Sequence, residues 1–418
     1  RVIEKLDVAF ERTHDKYGRV EIGVDFNFCR KAKEKGFKVF AHYGYQTMHF
    51  KEVELIEVQN AMGSFYARKY AKKEASGRDL VYYCGPSREK WDGNTLVKGG
   101  AAGAIEGVIH ITRELVKLGW NITVYNDCEE ESVIDGVSYK KFWEWNRFDK
   151  QDVTIIWRRP DFAQRWINSE KVIIDLHDVG TPDQLKGIKF DKVFVKSEFH
   201  KSLYNIPEHQ IKVIPYGINW DEFQGGEKDP YLMINTSVPD RSLGTLIKLF
   251  LEVKKQVPEV KLTWAYGWSL FDDIYGEDEK MMQWKKDILD AMKKHGIENL
   301  DRINHNEIAE LYKKATIFAY PTHFQETFCI SALKAQASGA IPVTTDYGAL
   351  RTTVQSGYKV HVSYKGEREY DYGIKEELHQ EWVDAVVNML KTPVPIRREF
   401  FKGYDWKNIA LEWHKELS

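Results

Sequence analysis

The sequence predicts an α/β protein built on open parallel sheets, and three observations carry that reading. From Leu80 onward, short apolar strands alternate with amphipathic helical stretches, the order that winds parallel sheets. The strands VTIIW, KVIIDLHDV and KVFVKS are apolar almost throughout, as strands covered on both faces must be. Glycine-rich or polar loops lead from a strand into a helix, at the edge where ligands of such sheets gather. With 418 residues, 43% of them hydrophobic, the chain can bury at least two sizeable cores, and its length fits two or three domains.

Residues 1–76 read differently from the rest of the chain. VEIGVDFNFCRKAKEKGFKVFAHYGYQTMHF gives an acidic turn, a helix with Phe26, Cys29 and Ala32 on one face, Gly36 at its close, then a strand and a short tail. A second helical stretch from Glu57 to Lys73 leads to the main body. The first domain of that body is expected at 77–226. LVYYCG is its first buried strand. The loop containing Gly99, Gly100 and Gly103 precedes a helix with Ile105, Ile109 and Leu115 on one face, and NITVY comes next as a strand. Backbone can approach a ligand closely at such a loop, and the helix start favours an anion. The spacing is not GxGxxG, so a dinucleotide fingerprint is unsupported. His177 and Asp178 stand at the carboxyl end of VIIDL. IKVIPYGINWDEF leads out, and GGEKDP (225–230) is the interdomain linker.

The second domain is expected at 227–398. Strand YLMINT leads to a polar loop and a helix with Leu243, Leu246, Ile247 and Phe250 on one face. Arg241 lies at the entrance to that helix beside the hydroxyls of Thr236 and Ser237, where a forked cation can grip two phosphate oxygens. VKLTWAYGW is the next strand, with Gly267 at its carboxyl end, and His305 lies near another. TIFAYPTHFQETFCISALKAQASGAIPVTT (316–345) reads as strand, loop, helix and strand, with Glu326 at the helix start. The amides of Thr327, Phe328, Cys329 and Ile330 are expected to open from that start as an anion site, the carboxylate accepting hydroxyl protons beside them. The last helix, within 399–418, is expected to cross back to the first domain.

Composition narrows the function. Net charge is −2, from 61 Lys+Arg against 63 Asp+Glu, so no global field recruits nucleic acid or acidic membranes. Cys29, Cys84, Cys128 and Cys329 are scattered without metal spacing, which points to a reducing compartment. No apolar run approaches the roughly 20 residues that cross a bilayer. No signal peptide opens the sequence, and it begins with Arg1, as a fragment of something longer would. The expected location is cytoplasmic, at most peripheral to a membrane.

Pro-Thr-x-x-x-Glu-Thr-Phe-x-Ile, followed by Ala-x-Ala-x-Gly-x-x-Pro-Val, resembles the donor-site signature of family-four retaining glycosyltransferases, which have the GT-B fold. The resemblance covers about residues 79–418. It implies two Rossmann-like domains facing across a cleft and transfer of a sugar from a nucleotide-diphosphate sugar to a glycan, lipid-linked or small-molecule hydroxyl acceptor. No cofactor or metal is implied. It assigns Arg241 to the leaving diphosphate, Glu326 to the donor sugar and His177 to the reaction centre. Thr236, Ser237, Gly267 and His305 join Thr327, Phe328, Cys329 and Ile330 around the donor. The glycine loop resembles the family's Gly-Gly-Ser-Glu but lacks the Ser and first Glu (Ala104 and Ile105 here), leaving Glu106. The family's second Glu, which holds the ribose, is Lys334 here. That departure implies a nucleotide held more by phosphate than by ribose, with ribose and deoxyribose weakly discriminated and Lys334→Glu restoring the preference. It also keeps open a non-catalytic sugar-nucleotide-binding module. Residues 1–76 resemble the end of a GT-A, inverting-type catalytic domain, with Asp25 and His49 at the base and metal positions and Gly23 and Val24 breaking its acidic pair. This leaves open a structural half of a larger two-headed transferase.

Overall fold

The computed structural model describes residues 13–14, 20–22, 24–37, 71–365 and 368–418. Two compact units divide the chain, residues 1–54 and 55–418. In the first, strands β1 (Thr13–His14) and β2 (Val20–Ile22) pair antiparallel, and helix α1 (Val24–Glu34) comes after them. Gly36, at φ +80°, closes that helix. Asp25 lies on α1. Gly23, His49 and most of the stretch 57–73 lie outside the described residues.

The second unit holds two parallel sheets. The first comprises β3 (Asp79–Tyr83), β4 (Asn121–Asn126), β5 (Ser132–Ile134), β6 (Val137–Lys141), β7 (Gln151–Trp157), β8 (Ser169–Asp175), β9 (Lys192–Val195) and β10 (Ile211–Val213). Their order is β10-β9-β8-β7-β3-β4-β6-β5, parallel except for the β5–β6 pair. Its central strands are buried on both faces. In β3, Leu80 and Tyr82 enter one core layer while Val81 and Tyr83 enter the other, the two-residue period of a strand covered twice. Helix α2 (Gly103–Lys117) covers the first of these faces.

The second sheet comprises β11 (Leu232–Asn235), β12 (Lys261–Trp264), β13 (Glu298–Asn299), β14 (Ile317–Ala319), β15 (Ile341–Thr345) and β16 (Tyr358–Val360), ordered β13-β12-β11-β14-β15-β16 and parallel throughout. Helices α3 (Leu243–Gln256), α4 (Glu279–His295), α5 (His305–Lys314), α6 (Ile330–Ser338) and α7 (His379–Lys391) accompany it. Helix α8 (Trp406–Leu417) packs back on the first lobe: Trp413 lies edge-on to Phe194 at 4.8 Å and against Tyr82 at 6.3 Å. The Lys192 ammonium of β9 pairs with Glu416. No helix among the described residues is long and apolar enough to cross a membrane.

One apolar layer runs from the first lobe through Tyr216 and Phe328 into α6, so the lobes share part of a core. Both sheets turn their carboxyl ends toward that junction, which is where the site forms.

Candidate active site

The Glu326 loop differs from the expected helix start. Helix α6 begins at Ile330, four residues later, because Cys329 adopts φ +72° and cannot continue a helix backward. Residues 326–329 are instead a folded loop. Glu326 O accepts the Ala349 amide at 2.9 Å, and Gly348, at φ +57°, lies so near that a Cβ would meet the Glu326 carbonyl oxygen at 3.0 Å. The amides that open from the first turn of α6 are therefore those of Ile330 and Ser331, while those of Thr327, Phe328 and Cys329 belong to the loop. Left-handed backbone at a buried cysteine predicts a steep dependence on side-chain shape. Cys329→Gly should stay within about 1 kcal/mol of the parent, while Cys329→Val should lose about 2 kcal/mol or more. Equal urea midpoints for the two variants would refute this.

Glu326 is buried and meets two donors through one oxygen. Arg241 Nη1 lies 2.7 Å from its Oε1, and the Tyr320 hydroxyl donates to the same atom at 2.6 Å. Among the described residues Oε2 is left for a ligand. Arg241 lies just after Pro239 in a 3-10 turn before α3, and its guanidinium stacks on Phe324 at 4.1 Å. It is thus a paired, oriented cation rather than a free side chain in the cleft. Burial opposes its charge, but Glu326 outweighs that and raises its pKa. Both side chains line a cavity of about 420 Å³ with His177, Asp178, Thr327, His323 and Lys365.

His177 reaches this cavity but has no free ring nitrogen. Nε2 lies 2.7 Å from Asp175 Oδ2 and Nδ1 lies 2.5 Å from the Tyr216 hydroxyl. Asp175 also takes the Lys196 ammonium at 2.5 Å and the Tyr82 hydroxyl. Burial alone would raise the Asp175 carboxyl, but His177 and Lys196 hold it well below the ordinary range. An ionised carboxylate only accepts, so Nε2 carries the ring proton and Nδ1 accepts from Tyr216. What His177 offers across the cleft is its backbone: its carbonyl accepts the Thr327 hydroxyl at 2.8 Å, and Ser197 Oγ donates to the Thr327 carbonyl at 2.6 Å. Thr327 therefore ties the lobes together. Phe328 is core, its ring 5.7 Å from Tyr216.

Burial drives the pKa of His177 down to about 4, and those of His110 and His200 to about 3, from an ordinary 6.5. Unfolded chain binds protons at these rings between pH 6.5 and 4 where folded chain does not. Stability is full above that window and falls as pH drops through it, by up to about 1.4 kcal/mol per pH unit for each ring. Urea unfolding at pH 7.5, 6 and 5 checks this; equal stability at all three would refute it.

At the start of α6 lies a second cavity, lined by Gly100, Gly103, Glu106, Thr236, Arg302, His305, Ile330, Ser331 and Lys334 among others. Here the structure corrects two expectations. Lys334 is buried, its ammonium 2.8 Å from Glu106 Oε2, so its charge is answered from the first lobe instead of being offered to a diphosphate. His305 is the first residue of α5, not a strand end, and its Nε2 lies 3.3 Å from the same Glu106 oxygen. Burial would raise the Glu106 carboxyl; His305 and Lys334 overcome it and hold the pKa well below the usual range. Glu106, the acid that the glycine loop retains, and Lys334 thus form one ion pair.

Around this pair the remaining residues find structural roles. Thr236 Oγ1 is 2.5 Å from the Tyr312 hydroxyl and donates to Ser331 Oγ at 3.1 Å. Ser237 is buried, its carbonyl accepting Trp264 Nε1 at 3.1 Å. Gly267 packs where a Cβ would meet Asp301 Oδ1 at 2.6 Å. Gly99 ends a short helical turn, and Gly103 opens α2 against Ile330. Gly100, at φ +73°, is required by contact as well: a Cβ there would lie 2.4 Å from the Ile303 carbonyl oxygen of the other lobe. Nearby Arg302 pairs with Glu89 across the same gap.

Glu106, His110 and His305 place ligand atoms within 4.8 Å of one another. The donor set nevertheless fits a metal poorly, because the Lys334 ammonium already occupies the carboxylate and opposes a second cation, and His110 stacks on Trp406 at 5.4 Å.

Sequence reasoning passed over Asp175, Lys196, Tyr216 and Tyr320. A lysine closing the apolar strand VFVKS was the available signal, since a charge there must find a buried partner.

Residues 220–389 match the family model described as glycosyl transferases group 1. The chain is 25% identical over 219 residues to the O-antigen chain mannosyltransferase RfbU of Salmonella typhimurium, covering 51% of this chain and 54% of that protein. Identity to the lipopolysaccharide 1,2-N-acetylglucosaminetransferase of the same organism is 18% over 264 residues, covering 59% and 66%. The matches thus span only about half to two thirds of these relatives. Sucrose-phosphate synthase from Thermosynechococcus elongatus superposes with a TM-score of 0.59 at 14% identity, covering 81% of this chain and 98% of the other. Anabaena HepE in complex with UDP-glucose superposes with a TM-score of 0.58 at 13% identity, covering 81% and 99%. With its two facing parallel-sheet lobes, the chain has the GT-B fold seen in glycosyltransferases, and its residues 220–389 are similar to the group 1 glycosyl transferase domain.

Proposed function

We propose that the chain transfers a sugar from a nucleotide-diphosphate sugar to a hydroxyl acceptor with retention of anomeric configuration and without a metal. The observation that carries this reading is the Arg241–Glu326 pair, 2.7 Å apart in the wall of the 420 Å³ cavity, with the start of α6 in the wall of the second cavity. A ligand whose diphosphate meets Arg241 and the first amides of α6 extends its sugar toward Glu326 Oε2 and its nucleoside toward Glu106. The bond from the anomeric carbon to the diphosphate oxygen breaks first, its charge taken up by the guanidinium and the amides. The acceptor oxygen then bonds to that carbon from the same face, and its proton passes to the departing phosphate. His177 acts by fixing Thr327 and hence the loop, which holds donor and acceptor in register. The two Salmonella relatives are named for O-antigen and lipopolysaccharide, which supports a glycan or lipid-linked acceptor.

That Glu106 answers Lys334 favours an intact transferase over a binding-only module, since the departure at 334 finds a partner within the site. The test is release of free nucleotide from a panel of nucleotide sugars, dependent on acceptor, with the product's anomeric configuration read by NMR. Transfer should persist, within about twofold, after chelator treatment, because the charge on the leaving group is met by Arg241 and helix amides. Strict dependence on manganese, or an inverted product, would overturn the reading.

A further inference from the structure

The Glu106 carboxylate is buried, belongs to the first lobe, and faces a cavity formed mainly by the second. Its Oε2 is engaged by Lys334 at 2.8 Å and His305 at 3.3 Å. Among the described residues Oε1 has no such partner. A carboxylate with one oxygen held by cationic or N–H donors can only accept through the other, so it cannot bind phosphate and is suited to ligand hydroxyls. The cavity also adjoins Ile330 and Ser331, the first turn of α6, and is walled by Ala101, Ile303 and Tyr266. It is narrow, about 90 Å³, because the lobes touch here through Gly100 and Ile303.

We infer that Glu106, held and aimed by Lys334 and His305, is the group that accepts the vicinal hydroxyls of the donor's ribose, a carboxylate supplied across the interlobe gap. This rests on the proposed transferase reading and names the nucleoside subsite within it. A carboxylate at 334 would act from the same lobe as the diphosphate site. Here the two functions are divided: the second lobe holds the phosphates, and the first lobe reads the sugar of the nucleotide. Ribose therefore bridges the lobes, and its recognition depends on their apposition. The preference for ribose is strong, in contrast to the weak discrimination that Lys334 alone implies.

The experiment compares binding of UDP, GDP and ADP with their 2′-deoxy counterparts by calorimetry on the full chain. The nucleotide that binds should do so at least tenfold more tightly as the ribose form. In Glu106→Gln/Lys334→Met, which removes both charges together, the ratio should fall to within twofold while the diphosphate is still bound. In the exchanged variant Glu106→Lys/Lys334→Glu, the carboxylate returns to the cavity from the other side, and at least fivefold preference should reappear. A merely structural pair would leave the ratio unchanged in both variants, and that result overturns the inference. Equal binding of ribose and deoxyribose forms by the parent overturns it alone. Failure of every nucleoside diphosphate to bind overturns it together with the transferase reading.

Discussion

Arg241→Ala should lower sugar transfer by at least about 100-fold, equivalent to about 2.7 kcal/mol of transition-state stabilisation. In the proposed reaction the guanidinium, held by Glu326, is the cation that meets the diphosphate, and alanine leaves only helix amides to meet the developing charge. Arg241 is 31% exposed, paired with Glu326 and stacked on Phe324, so its removal leaves Glu326 with Tyr320 alone, and a modest fall in thermal stability should accompany the kinetic loss. Arg241→Lys keeps the charge but loses the planar fork, and its rate should lie between those of parent and alanine variant. Initial rates at saturating donor, with donor affinity measured separately, decide the matter. An alanine variant within tenfold of the parent and with unchanged donor affinity would remove Arg241 from the leaving-group site.

Lys334→Glu should be the most destabilising of the charge changes at the site, costing about 3–5 kcal/mol. It sets a second carboxylate against Glu106, where an ammonium now sits 2.8 Å away in a buried setting. This reverses the expectation from the sequence, in which the same substitution restores the family's ribose contact. Restoration needs Glu106→Lys at the same time. A double-mutant cycle over the two positions should give a coupling of about 2 kcal/mol or more, with the exchanged pair more stable than either single variant. Additive effects would mean that the two side chains do not share one site.

The sheets were legible because near-continuous apolar runs have few other uses in a chain of this charge. The central 316–345 segment showed its strand, helix and second strand for the same reason. Helical spacing at Phe328 and Ile330, however, extended the helix too far, since periodicity cannot reveal a left-handed residue such as Cys329. The β5–β6 hairpin was missed, although Ile-Asp-Gly-Val carries a turn signal: Asp135 and Gly136 both take positive φ. Arg241 and Glu326 could be chosen from pattern and resemblance. Their pairing, and that of Lys334 with Glu106, joins residues 85 and 228 positions apart, which local spacing does not encode.

Helix α8 gives the first lobe a fold order of its own. Trp120 of that lobe donates its indole N–H to His414 across 294 positions of sequence, and the space between Tyr82 and Phe194 is closed by Trp413. The lobe made first during synthesis is therefore completed last, after the whole of the second lobe has emerged. Loop closure over that length must precede its final packing, which makes the step slow relative to folding of the second lobe. The physical module is discontinuous: cutting the chain at the Gly225–Pro230 linker separates the sequence of the first lobe from its own wall. A fragment intended to fold as that lobe must bring residues 406–417 with it.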